Sequence, residues 1–273
     1  VRGPSLERPA AVKSVSKSIV ALLLGAAIDR RIVPSVSATL AEVAPSLVPQ
    51  SADPRVPDLT MEDLVTMRAG LERTSGANYG GWVASRNWVA DALSRPFVAE
   101  PGERMLYSTG SFHVLGAALA EAAGEDLRTL AQNWLGRPLG VAFPPWLRDP
   151  QGYYMGGNAM ALRPRDMLAI GELVRRGGAV GDAQVISKDW IEASLTPVTQ
   201  SQWSGLGYGY GWFIEEQGAG PIAIARGYGG QIIATAPEAE ITVVVTSDPT
   251  RPARSAGYFG DLMDLLTGPV LNG

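Results

Sequence analysis

Ser14 and Lys17 stand three residues apart at the start of a segment that is otherwise apolar. The run Ile19–Ile28, IVALLLGAAI, has no polar side chain and predicts a helix buried in the core. Residues i and i+3 share one face of a helix, so the two side chains can meet. Burial and the positive end of the helix both lower a lysine pKa. A neutral amine could then accept the proton of a serine hydroxyl that attacks a carbonyl.

A purely structural explanation of the same pair needs no catalysis. Ser14 would cap the helix, and Lys17 would extend its ammonium group to water. A helix with such a cap prefers Glu or Gln at the third position, where Lys is electrostatically unfavourable, and this favours the catalytic interpretation. The S-x-x-K spacing alone is a weak signal.

The composition excludes most other routes to hydrolysis. Cysteine is absent from the 273 residues, which excludes disulfides, thiolate catalysis and Cys-based zinc sites. His113 is the sole histidine and no G-x-S-x-G motif occurs, so we expect no metal, no cofactor and a structural role for His113. The net charge of −4 offers no basic face for nucleic acid. The longest apolar run is shorter than the about 20 residues that cross a bilayer.

The patterning predicts a helical middle followed by a sheet. Helices are expected over residues 59–70, with Thr60 and Asp63 forming a capping box, and over 84–96, 112–124 and 163–178. Residues 75–82 predict a glycine-rich loop. From about Gly205 onward, alternating β-branched segments predict an antiparallel meander, and residues 255–268 predict a closing helix.

Two further segments carry residues suited to catalysis. Tyr107-Ser108-Thr109 lies between a Pro-Gly turn and a helix, and its phenol would become a base or proton relay if a cation such as Lys17 favoured phenolate. RGYGGQ, residues 226–231, lies at the edge of the meander, where glycines let a backbone N–H approach a ligand and stabilise an oxyanion. A packed tyrosine and a bulge or hairpin turn are the ordinary alternatives.

The three segments occur in the order and approximate spacing of the serine β-lactamase/penicillin-binding-protein superfamily. The sequence most resembles the class C β-lactamase-like branch, which includes family VIII carboxylesterases, D-aminoacyl peptidases and 6-aminohexanoate-dimer hydrolases. The stretches LTMEDLVTMRAGLE, PGERMLYSTGSFHVLG and YGYGWF are similar to segments of that branch. The resemblance implies an α/β fold of the α+β type. An antiparallel sheet flanked by helices would pack against an all-helical lobe, with the site in the groove between them.

The expected division places residues 1–30 and 165–273 in the sheet domain and residues 31–164 in the mostly helical lobe. The resemblance implies that Ser14 is the acyl-accepting nucleophile, Lys17 its partner base, and Tyr107 the second base that protonates the leaving group and later activates water. The backbone N–H groups of Ser14 and Gly230 would form the oxyanion hole. The residues expected to contact substrate are Thr109, Tyr228, Gly229, Arg226 and Tyr79.

Three features depart from the family pattern. Thr109 stands where Asn is usual, and it cannot supply the amide that is usually aimed at the lysine and the substrate. Gly227-Tyr228 replaces a cation followed by Thr, with Arg226 as a partial substitute, and this favours neutral esters or amides over penicillins, which bind through a carboxylate. Only thirteen residues precede Ser14. The N-terminal strands usual in the family are therefore not expected within these residues: either that portion lies outside this sequence, or the sheet is smaller than usual and leaves an open edge.

The main hypothesis is a serine hydrolase that forms an acyl-enzyme on Ser14 with small carboxylic esters or amides. A β-lactamase or D-alanyl carboxypeptidase would keep this chemistry and change the substrate. A non-catalytic binder or sensor that is acylated without turnover is the third hypothesis. The expected partner is a small ester or amide, with no nucleic acid and no integral membrane segment, and the oligomeric state is left open. Family habit suggests a periplasmic or secreted location, although the sequence leaves a cytoplasmic one open.

Overall fold

A computed structural model of the chain describes residues 5–217, 220–248, 257–266 and 268. Its α-helices are α1 (Val15–Asp29), α2 (Leu40–Val43), α3 (Met61–Val65), α4 (Tyr79–Val83), α5 (Trp88–Leu93), α6 (Thr109–Ala123), α7 (Leu127–Leu130), α8 (Arg137–Leu139), α9 (Pro164–Arg175), α10 (Lys188–Ser194) and α11 (Tyr258–Leu265). Short 3-10 turns lie at Pro45–Leu47, Val56–Asp58 and Gly76–Asn78, and a π-helical segment, Ala131–Gly136, joins α7 to α8.

The strands are β1 (Ala10–Ala11), β2 (Ala161–Leu162), β3 (Ala179–Val180), β4 (Ala183–Gln184), β5 (Thr199–Gln200), β6 (Gly207–Tyr208), β7 (Phe213–Gln217), β8 (Gly220–Gly227), β9 (Gln231–Ala236) and β10 (Ile241–Val245). Six of them form one sheet in the order β10-β9-β8-β7-β6-β5, with every neighbouring pair antiparallel. Each strand pairs with the next in sequence, so the sheet is the predicted meander.

The sheet is covered by helices on both faces at its centre. All six residues of β9 are buried, and successive side chains of a strand point to opposite faces. Helix α1 packs on β8 and β9, while α9 packs on β9 and β10. The predicted fold class, an antiparallel sheet with flanking helices in a mixed α/β protein, is confirmed.

Helix α1 is buried along almost its whole length. Every residue from Val15 to Ala27 is buried, including Ser16, Lys17 and Ser18, and the lack of polar side chains from Ile19 onward predicts this for most of the helix. The helix packs against α6 as well as β8. The indole of Trp190 from α10 packs directly against the backbone of α1 at Gly25. Glycine permits this contact because it has no Cβ atom, which would overlap the ring. The apolar packing of α1 therefore draws its first turn, with Lys17, below the protein surface.

The predicted helices are present but differ in extent. Helix α3 begins with the expected capping box of Thr60 and Asp63, yet it ends before residue 70 because Met67 adopts a left-handed φ of +56°. The segment 84–96 is helical only over α5, and 163–178 only over α9. Helix α6 starts at Thr109 and ends at Gly124, whose φ is +66°.

The loop expected at residues 75–82 was a wrong prediction, since this segment forms a 3-10 turn and the start of α4. Helix α10 and the two short strand pairs β1–β2 and β3–β4 were not predicted from the sequence. The closing helix is present as α11, and residues 255, 256 and 267 of the predicted segment lie outside the described residues.

No strand that precedes α1 joins the six-stranded sheet among the described residues. Strand β1 precedes α1 and pairs with β2, not with the six-stranded sheet, whose outer strands among the described residues are β10 and β5. Helices α2 to α8 fall within residues 31–164. The division into two domains stays a prediction. Within the described ranges, every helix is too short or too polar to cross a bilayer.

The contact between Gly25 and Trp190 leads to a stability prediction. Alanine at an exposed helix position is favoured over glycine by about 0.5–1 kcal/mol. In Gly25→Ala the new methyl group must displace the Trp190 ring, so we expect a loss of about 1–3 kcal/mol in the free energy of unfolding, measured with urea. Gly260→Ala in α11 is the matched control, since no atom lies within 4 Å of its Cβ position. A stability gain in Gly25→Ala would contradict this packing.

Candidate active site

Lys17 is the polar centre of the buried first turn of α1. Its side chain is only 2% exposed, and its described polar partners are all uncharged oxygens. The Lys17 amine lies 2.7 Å from the carbonyl oxygen of Gly157, 3.2 Å from Ser14 Oγ and 3.2 Å from Thr109 Oγ1. It also lies 4.9 Å from the centre of the Tyr107 ring. The lysine, the serine, the tyrosine and the threonine singled out in the sequence are therefore brought together.

The surroundings of the Lys17 amine favour its neutral form. Burial lowers the pKa of Lys17, and the Tyr107 hydroxyl opposes this change only in part. A neutral amine 3.2 Å from Ser14 Oγ can accept the hydroxyl proton. The structural explanation of the pair fails on both counts, since Ser14 makes no side-chain capping hydrogen bond and Lys17 does not reach solvent.

The hydroxyl of Ser16 joins the segment around Ser14 to the segment that contains Met160. This hydroxyl donates to the Lys13 carbonyl at 2.7 Å and accepts from the Met160 N–H at 3.3 Å. The Val12 N–H donates to the Met160 carbonyl at 3.0 Å. Lys13 has a φ of +53°, which turns the chain sharply into α1. These bonds hold the start of α1 against the segment that carries the Gly157 carbonyl.

Thr109 takes part in the site through its hydroxyl. It is the first residue of α6, and its N–H donates to Ser75 Oγ at 2.9 Å. The hydroxyls of Ser75 and Thr109 lie 3.0 Å apart, and Thr109 Oγ1 in turn contacts the Lys17 amine. The side chain is shorter than the asparagine usual at this position and lacks its amide, as expected, but it still reaches the lysine.

Tyr107 is enclosed by two aromatic side chains from the sheet region. Its ring stacks on Phe213 of β7 at 6.5 Å between ring centres, with 18° between the planes. Trp203 approaches it edge-on at 6.4 Å. The adjacent Leu106 N–H donates to the Met67 carbonyl at 2.9 Å, which fixes the irregular segment before α6. Tyr107 thus lies between the Lys17 amine and the aromatic side chains of the sheet.

The hairpin joining β8 and β9 approaches the start of α1. Gly227 pairs with Gln231, so residues 228–230 form the connection. A Cβ atom at Gly227 would overlap the carbonyl oxygen of Val12 and would lie 3.2 Å from Lys13 Cβ. A side chain at residue 227, such as the cation expected from the family pattern, therefore has no room with this backbone. Gly227 also places the end of β8 against the two residues that precede Ser14.

The amide groups expected to form the oxyanion hole have no competing partner in the described part of the chain. Neither the Ser14 N–H nor the Gly230 N–H donates a hydrogen bond to another described residue. Gly229 and Gly230 have φ values of +83° and +82°, which glycine adopts readily. Tyr228, between β8 and β9, is 56% exposed and joins no described hydrogen bond or ring contact with Lys17.

Arg226 and Tyr79 lie at the margins of this site. Burial lowers the pKa of the Arg226 guanidinium to about 10, although Tyr107 and Glu215 act in the opposite direction. The Arg226 guanidinium lies 4.9 Å from the centre of the Phe213 ring, on which Tyr107 stacks. The Tyr79 hydroxyl accepts a hydrogen bond from the Asn158 side chain at 3.1 Å, one residue beyond Gly157.

His113 lies on α6 in a separate buried cluster. Its Nε2 is 3.0 Å from Asp149 Oδ2, and its ring makes edge contacts with Trp82 and Trp88. None of these partners belongs to the group around Lys17, as a structural role requires. Across the described ranges, no group of three His, Asp or Glu side chains could hold a metal ion.

Four residues of the site were missed in the sequence: Ser16, Ser75, Gly157 and Trp203. Gly157 contributes a backbone carbonyl, for which no residue type is diagnostic. Ser16 and Ser75 act through hydrogen bonds between distant segments, and Trp203 approaches Tyr107 only after the sheet has formed. No residue pattern in the sequence analysis pointed to any of these four residues.

Comparison with known proteins agrees with this fold. A family model described as Beta-lactamase matches residues 9–265. Comparison of the sequence with curated proteins finds no match. Among solved structures, the chain is similar to EstCE1, a hydrolase with promiscuous acyltransferase activity, with a TM-score of 0.78 and 20% identity over 97% of this chain and 86% of that one.

Two further structures share the fold. A β-lactamase from Mycobacterium bovis has a TM-score of 0.71 and 17% identity over 98% of this chain and 90% of that one. The octameric penicillin-binding protein homologue from Pyrococcus abyssi has a TM-score of 0.71 and 20% identity over 98% and 68%. At these identities the structures show the fold alone. The family model spans almost the whole sequence, and the resemblance is confirmed: the chain belongs to the Beta-lactamase family.

Proposed function

We propose that the protein is a serine hydrolase that forms an acyl-enzyme on Ser14 and acts on small carboxylic esters or amides. The observation that carries this proposal is the buried Lys17 amine, 3.2 Å from Ser14 Oγ and surrounded by uncharged oxygens. Such an amine can serve as a base at neutral pH, whereas an exposed lysine is protonated there. Membership of the Beta-lactamase family supports hydrolase chemistry.

In the acylation step, Ser14 Oγ attacks the substrate carbonyl carbon and its proton passes to Lys17 Nζ. The carbonyl π electrons move to oxygen, and the resulting oxyanion would accept hydrogen bonds from the N–H groups of Ser14 and Gly230, which have no other described acceptor. Thr109 and the Gly157 carbonyl hold the lysine amine in place while it accepts the proton.

Collapse of the intermediate breaks the bond to the alcohol or amine. Tyr107 donates its proton to this leaving group and is reprotonated by the Lys17 ammonium, which lies 4.9 Å from the centre of the tyrosine ring. In deacylation the same groups act in the reverse sense. Tyr107 first passes its proton to the neutral Lys17 amine and, as phenolate, takes a proton from water. The resulting hydroxide attacks the acyl carbon, and the Ser14 oxygen leaves as the ester bond breaks and regains its proton from the Lys17 ammonium.

The preference for uncharged substrates follows from the hairpin. Gly227 has no room for a side chain beside Val12, so no cation can project from that position toward a substrate carboxylate. Arg226 is the nearby cation, and it packs over the Phe213 ring. Its presence makes a β-lactamase or D-alanyl carboxypeptidase the second candidate. Nitrocefin and a peptide ending in D-Ala-D-Ala test that alternative.

Ser14→Ala tests the assignment of the nucleophile. We expect the wild-type protein to be labelled by a fluorophosphonate probe and to hydrolyse p-nitrophenyl butyrate. In Ser14→Ala, labelling should be absent and kcat should fall by about 10³-fold or more. Ser37→Ala, at an exposed serine, is the control. Labelling that persists in Ser14→Ala would refute the assignment, and a stable wild-type adduct without turnover would support the acylated binder.

The lowered pKa of Lys17 makes stability depend on pH. Between this lowered value and the ordinary value of 10.5, the unfolded chain binds a proton at Lys17 that the folded protein does not. Stability therefore rises with pH in that window. Relative to Lys17→Met, the wild-type free energy of unfolding should therefore increase as the pH rises toward 10.5.

Lys188→Met is the matched control for this measurement, since the Lys188 side chain is 73% exposed. Urea unfolding of the three proteins across the pH range gives the slopes. A wild-type stability that falls with pH relative to Lys17→Met would mean that the buried amine is held in its charged form, contrary to its role as a base.

Thr109→Val tests the hydroxyl that contacts the lysine. Valine keeps the shape of threonine but leaves the Lys17 amine without this partner and Ser75 with one hydrogen bond fewer. Because one such hydrogen bond is worth about 1 kcal/mol, kcat for p-nitrophenyl butyrate should fall by about 5–10-fold. Thr109→Ser retains the hydroxyl and should remain within about threefold of wild type. Equal loss in both variants would exclude a specific role for the hydroxyl.

A further inference from the structure

Trp203 is a large apolar side chain that remains exposed beside the site. It lies in the connection between β5 and β6, and 59% of its surface is open to solvent. Exposure of an indole ring to water is unfavourable. A single exposed aromatic side chain is nevertheless common on protein surfaces and does not by itself indicate a binding site. Trp203 is not isolated, because both of its described aromatic and cationic neighbours lie around the proposed catalytic groups.

The connection that carries Trp203 is fixed at its base. The Gly205 N–H donates to the Ser201 carbonyl at 2.9 Å, and the Gln200 side chain donates to the Gly205 carbonyl at 2.7 Å. Ser201 is buried, and its N–H donates to the Leu206 carbonyl at 2.9 Å. The indole therefore projects from a hydrogen-bonded turn.

The indole of Trp203 contacts residues from two other parts of the chain. Its ring meets Tyr107 edge-on at 6.4 Å, with 80° between the planes. The guanidinium of Arg73 lies 4.9 Å from the centre of its ring, in cation–π geometry. Arg73 is two residues before Ser75, which bonds to Thr109. Trp203 thus connects the sheet to the segment that holds Thr109, on the side of the site where Tyr107 lies.

We propose that Trp203 and Arg73 form the leaving-group subsite, and that this subsite favours esters or amides whose alcohol or amine carries an aromatic ring. The inference rests on the proposed function, in which Tyr107 protonates the leaving group. A group that receives a proton from Tyr107 must lie beside it, and Trp203 is the exposed ring at that position. An aromatic leaving group would cover the exposed indole surface.

Two acetate esters test this subsite without a change in the acyl group. 2-Phenylethyl acetate and n-propyl acetate release primary alcohols of similar basicity. The first carries a phenyl ring where the second carries a methyl group. In Trp203→Ala, kcat/KM for 2-phenylethyl acetate should fall by about 10-fold or more, mainly through KM, and for n-propyl acetate by less than about twofold. Trp203→Phe should retain most of the preference. Leu147→Ala removes another exposed apolar side chain and should change neither value.

The acyl side gives the opposing measurement. The ratio of kcat/KM for n-propyl 3-phenylpropanoate to that for n-propyl butanoate should be the same in wild type and Trp203→Ala. A fall in this ratio would place Trp203 against the acyl group and overturn the assignment. Equal losses for all four esters, or no loss for any, would overturn it too.

Binding of the product alcohol separates this inference from the proposed function. Saturation-transfer NMR should detect binding of 2-phenylethanol to the wild-type protein. With Trp203→Ala the signal should be lost, or titration should show an affinity about 10-fold lower. 1-Propanol should give no such difference. If the wild type hydrolysed no ester, the proposed function would fail while this measurement still decided the subsite. Equal binding of 2-phenylethanol by both proteins would overturn it.

Discussion

The burial of one amine among uncharged oxygens is the interaction on which the rest of the site depends. An ionised lysine in this position would have no carboxylate among its described polar partners, and removal of its charge from water is costly. The neutral form avoids that cost and remains satisfied by hydrogen bonds to Gly157, Ser14 and Thr109. The apolar residues of α1 favour this form, since their packing draws the first turn of the helix inward and burial lowers the pKa of Lys17.

The amine also brings distant parts of the chain together. Ser14 precedes α1, Thr109 begins α6, and Gly157 lies in the connection before β2. Each contributes one oxygen, and Ser16 and Ser75 add hydrogen bonds that fix the neighbouring backbone. Such a group of hydrogen bonds can be satisfied fully only when every segment is in place. The geometry of the amine is therefore a property of the whole fold and not of the S-x-x-K turn alone.

The sequence was informative wherever a local pattern has a direct physical consequence. The unbroken apolar run predicted the burial of α1, the Thr60–Asp63 pair predicted a helix start, and alternation after Gly205 predicted the meander. It was uninformative where the outcome depends on backbone conformation or long-range contact. The left-handed φ of Met67, which ends α3 early, carries no residue signature.

The candidate site divides along the same line. Ser14, Lys17, Tyr107 and Thr109 have chemically distinctive side chains, so their types and order predicted a common site, and the structure brings them together. The Gly157 carbonyl is a backbone atom, and Trp203 reaches Tyr107 from more than ninety residues away in sequence. Such partners become visible only once the fold brings the segments into contact.

The close contact of Gly227 with the Val12 carbonyl has a consequence for how this scaffold can change over evolutionary time. In many proteins a new ligand charge can be accommodated by one substitution in the pocket wall. Here the space for such a side chain is filled by the main chain immediately ahead of Ser14. Acquiring a cation at residue 227 would first require that main chain to shift, which would move Ser14 as well. Under the proposed function, the charge of the substrate pocket is therefore tied to the backbone that positions Ser14, and a pocket for anionic substrates would need several coordinated changes.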